Sequence, residues 1–136
     1  MRWLLILPLL AALLVGPCPV LAADPQPYTV TLQPSGNTAL DQALHDVSQL
    51  VSLRETAPVG PFALVTRARE DVARFQTALR SFGYHKGQTT LTIDGRSLDD
   101  MELLDLLARA SAKAPVPVVA SFELGPLFRQ IGRAHV

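Results

Sequence analysis

Two periodicities alternate along this chain, and their order predicts its elements. Tyr28-Thr29-Val30-Thr31-Leu32 alternates apolar and polar side chains, the period of a strand with Tyr28, Val30 and Leu32 facing inward. Pro34-Ser35-Gly36-Asn37 is a turn cluster. Thr38 then suits a helix N-cap, and Asp41 falls in the first turn, where a carboxylate meets exposed amides. Leu40, Leu44, Val47 and Val51 recur at helical spacing and predict one helix running to about Leu53. A loop containing Pro58, Gly60 and Pro61 separates it from a stronger helix. In that helix Leu64, Ala68, Val72, Phe75, Leu79 and Phe82 form a continuous apolar stripe. Arg67, Arg69, Glu70, Arg74 and Arg80 occupy its solvated faces, and Gly83 ends it as a left-handed cap.

Alternation returns at Gln88 to Asp94, with Leu91 and Ile93 on one face and Thr90 and Thr92 on the other. Asp94-Gly95 turns the chain. Leu103, Leu104, Leu106 and Leu107 predict a short helix over Leu98–Ala112, with Asp99, Asp100 and Glu102 in its first turn. The last strand is expected over Val116–Leu124, with Val116, Val118, Ala120, Phe122 and Leu124 on one face. Pro117 cannot donate to a ladder and must therefore lie near the strand start. A sheet with one apolar face needs a cover, which the two main helices supply. The predicted class is α+β: a two-layer domain with a three-stranded mixed sheet under two helices and an extra short helix between the last two strands.

The ends change the picture. Arg2, the apolar run Leu4–Val15, the helix breakers Gly16, Pro17 and Pro19, and the short side chains before Ala22 and Ala23 make a secretory signal peptide over residues 1–22. The apolar run is too short for a membrane span, which needs roughly 20 residues. Cys18 is the single cysteine. Its neighbours Pro17 and Pro19 suit lipidation poorly, and a cut after Ala22 leaves a chain whose stability rests on its core. Gln130-Ile131-Gly132-Arg133-Ala134-His135-Val136 back-translates to a sequencing adapter followed by a stop. The expected organisation is a domain over residues 24–127 and, from residue 128, the start of a truncated next domain, with 130–136 an artefact.

Charge is balanced, 12 Lys+Arg against 12 Asp+Glu. No basic stripe interleaved with aromatics appears, so nucleic acid is not an expected partner. Catalytic chemistry finds no foothold either. His45 and His85 belong to no metal-binding spacing, and no serine sits in a G-x-S-x-G turn. Asp99-Asp100 fits a helix start better than an acid–base pair. No catalytic residue, metal ligand or cofactor is assigned, and an enzyme is not expected.

Arg67 to Tyr84, of the form R-A-R-x-D-x-x-R-F-x-x-A-L-R-S-F-G-Y, resembles the second helix and following turn of POTRA domains in the BamA superfamily. The Tyr28 strand, Ser48-Gln49-Leu50 and Gly125-Pro126-Leu127-Phe128-Arg129 resemble the TamA branch. Phe82, Gly83, Tyr84, Gly125 and Pro126 carry the structural part of the likeness. His85 replaces a usual second aromatic, and Gly95 to Pro115 is longer than the minimal strand connection. The resemblance implies a periplasmic module of an outer-membrane protein assembly or translocation factor, anchored in the full-length protein by a C-terminal barrel that this sequence lacks. It implies a TamB-like periplasmic protein or extended client polypeptides, such as autotransporters, as partners. It also points to Gln88, Thr89, Thr90, Leu91, Thr92, Ile93 and Asp94 as an edge strand that takes up an extended chain by β-augmentation. There, proline at Thr90 or Thr92 is expected to block binding wherever the replaced amide faces outward. Two other classes fit less closely, a periplasmic BON-type binding module and a small secreted enzyme.

Overall fold

A computed structural model describes residues 25–110 and 114–128. The signal-peptide, Cys18 and adapter readings lie outside these residues, as does the far end of the inserted helix. Along the chain run β1 (Tyr28–Leu32), α1 (Thr38–Val47), α2 (Gln49–Ser52), α3 (Pro61–Ser81), β2 (Gln88–Ile93), β3 (Arg96–Ser97), α4 (Leu103–Arg109) and β4 (Val116–Glu123). The class is α+β, with a mixed sheet of order β1-β4-β2-β3. β4 is the central strand, parallel to β1 and antiparallel to β2.

One face of the sheet is apolar and packs on the helices. Tyr28, Leu91, Ile93, Val116, Val118 and Ala120 are buried there against Leu40, Leu44, Leu64, Phe75 and Leu79. The other face carries Thr29, Thr31, Thr90 and Pro117, all exposed, so the domain has two layers. The α3 stripe falls as its spacing predicts: Leu64, Ala68, Phe75 and Leu79 are buried, and Val72 and Phe82 are partly so. Gly60 precedes Pro61, whose fixed φ suits the first helical position.

Four expectations are corrected. The first helix is not continuous, because Ser48 breaks it with an extended backbone. Ser48 caps α2 by accepting from the Val51 amide and donates to the buried Asp71 carboxylate at 2.7 Å. The break rotates the apolar face, so Leu50 is fully buried while Val47 is 37% exposed. The N-cap of α1 is Asn37 rather than Thr38, its side chain accepting from the Leu40 amide. Asp41 turns away from the helix amides and accepts from Ser35.

Arg67 is the third correction. It lies inside rather than on a solvated face, 9% exposed. It donates to the Tyr28 hydroxyl at 3.3 Å and the Ala57 carbonyl at 3.0 Å, and Tyr28 in turn donates to the Leu50 carbonyl at 2.8 Å. This network ties β1, α2 and α3 together without exposing a charge for a ligand.

The fourth correction follows Asp94. The sheet has four strands, not three. Asp94 and Gly95 both have positive φ, 52° and 74°, the requirement of a tight two-residue hairpin turn. The chain therefore returns antiparallel as β3, pairing Ile93 with Arg96 and Thr92 with Ser97. The helix begins only at Leu103, after a turn in which Asp100 accepts from the Glu102 amide at 2.9 Å and from Arg96 at 3.0 Å. These two bonds, the backbone one first, hold the Asp100 carboxyl below its ordinary pKa.

Pro117 sits in the central strand, as its sequence position threatened. Its carbonyl accepts from the Asp94 amide at 2.8 Å, one residue beyond the last β2–β4 strand pair, Ile93 with Val118. The missing N–H thus falls at the end of the ladder, where it interrupts nothing.

Candidate protein-binding edge

The direction of each amide in β2 follows from a single bond. Asp94 N–H points at Pro117 of β4. Amide directions alternate along a strand, so Thr92, Thr90 and Gln88 also face β4, and Ile93, Leu91 and Thr89 face the other way. Both Thr90 and Thr92 therefore spend their amides inside the sheet, and the expectation that one of them faces outward is corrected. The outward groups at Ile93 belong to the β3 hairpin. At the opposite end the Gly87 carbonyl accepts from Gln76 Nε2 at 2.7 Å. Between these limits, the outward N–H and C=O groups of Thr89 lie beyond the β2–β3 pairing, whereas the Ile93–Arg96 and Thr92–Ser97 pairs place Leu98 opposite Leu91.

The predicted edge strand Gln88–Asp94 is thus open over only part of its length. Thr92 and Ile93 lie under β3, and Asp94 is in the turn. Beside the open part runs a cleft of about 270 Å³, lined by Arg69 and Val72 of α3, by Thr89 and Leu91, and by Ser97 to Asp99. Arg69 donates to the Leu98 carbonyl at 3.0 Å and lies 3.9 Å from Asp99. These contacts fix the chain after β3 beside the cleft. The cleft has room for a side chain or two beside a backbone.

β1 forms the opposite edge, which sequence reasoning did not single out. Val116 N–H bonds the Pro27 carbonyl and Gln33 N–H the Ala120 carbonyl, so Tyr28, Val30 and Leu32 direct their backbone groups outward. The signal that could have located this edge is topological, since strand order is not written in periodicity.

The residues of the turn after α3 and of the C-terminal segment come together. Phe128 N–H donates to the Gly83 carbonyl at 2.9 Å, and Lys86 lies over the Phe128 ring at 5.7 Å. Gly125 approaches the Lys86 backbone. Gly83 has φ +92°, and a Cβ there would stand 2.7 Å from the Phe128 carbonyl oxygen. Gly83→Ala is therefore expected to cost about 1–2 kcal/mol for the left-handed backbone alone. It should also release the Phe128 amide. Denaturation together with hydrogen exchange at Phe128 checks this, and unchanged stability with unchanged protection would remove the junction from the account.

The polar residues considered for catalysis are scattered. His45 is exposed on α1 beside Asp46, and His85 is exposed in the turn after α3, its ring 6.0 Å from that of Phe128. Asp99 and Asp100 engage Arg69 and Arg96 respectively. Ser48 and Asp71 do form a hydrogen-bonded pair, but both are sealed in the core. No group of three or more metal-ligating side chains occurs among the described residues. No protein-family model matches the chain, and no curated protein or solved structure matches it.

Proposed function

We propose that this domain is a POTRA module of a TamA-like outer-membrane assembly factor. In this reading it acts in the periplasm and binds extended polypeptide rather than catalysing a reaction. The observation that carries the binding role is the open end of β2, where the outward backbone groups of Thr89 border a cleft against α3. Backbone pairing asks little of the guest's sequence, which suits a module that handles many clients or a repetitive TamB-like partner. The family reading draws further support from two features. A mixed sheet carries its main helices on one face, as the resemblance implies. The Gly83 turn also meets the Gly125–Phe128 segment.

The test uses proline at positions of opposite amide direction. Thr89→Pro removes an outward donor and should weaken binding of an extended client peptide or a TamB-like partner roughly 3- to 10-fold, the worth of one net hydrogen bond. Thr90→Pro removes a donor within the β2–β4 ladder and should instead lower stability, followed by circular dichroism. Thr90→Val should change neither, because its backbone pairing survives. A folded Thr89→Pro variant that binds like the parent would exclude this edge as the recognition surface.

A further inference from the structure

The edge of β1 is open along the whole strand. Its outward backbone groups belong to Tyr28, Val30 and Leu32, and none of them has a hydrogen-bond partner among the described residues. The open stretch has fixed limits. At one end the Gln26 amide is spent on the Val59 carbonyl at 2.8 Å; at the other, Pro34 has no amide. From Pro25 to Pro34 the chain carries no charge. Exposed edges are usually guarded by charged side chains, because bare backbone pairs with other strands. Here prolines stand only at the ends, and the strand between them is unguarded.

The edge is also complementary to itself. Tyr28-Thr29-Val30-Thr31-Leu32 has the same order from either end: apolar, threonine, valine, threonine, apolar. A two-fold axis at Val30 sets two copies antiparallel, with Val30 opposite Val30 and Tyr28 opposite Leu32. All three residues point their N–H and C=O outward, so each of these pairs exchanges both hydrogen bonds. No outward group is left over. Moving the axis by one residue sets Leu32 opposite Gln26, whose amide is taken, or Tyr28 opposite Pro34, which has none. The side chains agree with the same register. Residues directly opposite in an antiparallel pair share a face. Val30 and Leu32 are half-buried on the helix side, beside a cleft of about 270 Å³ that Val51, His45 and Arg54 complete. A second copy brings its own Val30 and Leu32 to this cleft. On the other face Thr29 meets Thr31, both exposed.

We propose that β1 is a homodimer interface, in which two copies of this chain pair antiparallel about Val30 and form one continuous sheet. The contact lies at the opposite edge from the open end of β2 and leaves that end accessible, so it does not rest on the client-binding reading.

Sedimentation equilibrium over a range of protein concentrations tests this, on the chain without residues 1–22, which keeps every described residue. The parent should show a monomer–dimer equilibrium. Val30→Pro deletes the amide at the axis in each copy and spares the β1–β4 ladder, so the dimer should weaken roughly 10-fold or more. Two further variants change only exposed side chains and report the register even if the proline variant does not fold. Thr29→Lys with Thr31→Lys sets like charges opposite one another and should weaken the dimer roughly 3- to 30-fold. Thr29→Lys with Thr31→Glu sets opposite charges there and should restore it. Thr89→Pro should leave the dimer intact. A parent that stays monomeric throughout, a folded Val30→Pro variant that dimerises like the parent, or equal dimerisation of the two charge variants overturns the proposal. Loss of the dimer in a folded Thr89→Pro variant also overturns it, by placing the contact on β2.

Discussion

Asp71→Ala is expected to destabilise the domain by about 3–5 kcal/mol, the range for breaking a buried charged pair. The carboxylate is fully buried on α3 and accepts from four donors on three sides. Ser48 Oγ reaches it at 2.7 Å, the Gln49 and Leu50 amides each at 2.9 Å, and Arg74 Nη1 at 3.0 Å. Two of those donors are first-turn amides of α2, which otherwise have no intrahelical acceptor. Alanine would leave the buried Leu50 amide and the Ser48 hydroxyl proton without an acceptor, and the part-buried Gln49 amide short of one, at about 1–3 kcal/mol for each fully buried group before relaxation. Against a total stability of roughly 5–15 kcal/mol, one such substitution removes a large fraction of folding. Asp71→Asn keeps the size and one acceptor oxygen and should fall between alanine and the parent. Denaturant midpoints for the three proteins check the order. An alanine variant with the parent's midpoint would mean that α2 docks without this anchor.

Phe75→Ala should cost a similar amount, about 3–5 kcal/mol, for a different reason. The ring is fully buried between α3 and the sheet and meets Phe122 edge-on, centroids 5.3 Å apart at 86°. Removing it takes away apolar burial and leaves a cavity that two packed layers cannot close. A double-mutant cycle with Phe122→Ala separates the aromatic contact from the burial. The coupling should be about 0.5–1.5 kcal/mol, typical of an edge-to-face pair. An unchanged midpoint for Phe75→Ala would place the helix in a different rotation. Asp71 and Phe75 are one helical turn apart on α3, so combining their substitutions should depart from additivity.

The two substitutions also mark where sequence reading succeeds. Phe75 belongs to a stripe whose period alone places it on the core, because a helix face repeats with fixed geometry whatever lies opposite. The strand Tyr28–Leu32 and the left-handed Gly83 are legible for the same kind of reason, each depending on its own backbone and neighbours, whereas Pro61, expected in the loop, is the first residue of α3. The Asp94-Gly95 turn was legible too, but its consequence was missed. Leucines at helical spacing further on drew the helix forward over residues that form a hairpin arm and a turn held by Asp100.

What the sequence by itself determined is therefore the class of the fold, the order of most elements and the identity of the apolar face. These are properties of periodicity and of residues with restricted backbones. Only the tertiary structure decided that Ser48 interrupts a helix, since the interruption is held by Asp71, 23 residues away. It alone placed Arg67 in the core, because the partners that make burial tolerable come from β1 and the loop before α3. It alone decided which amides of β2 face outward. A strand's period is two, so periodicity separates the two side-chain faces but not the two hydrogen-bonding edges. That choice rests on which neighbour each edge meets, and here β4 takes one edge of β2 while β3 covers only the end of the other.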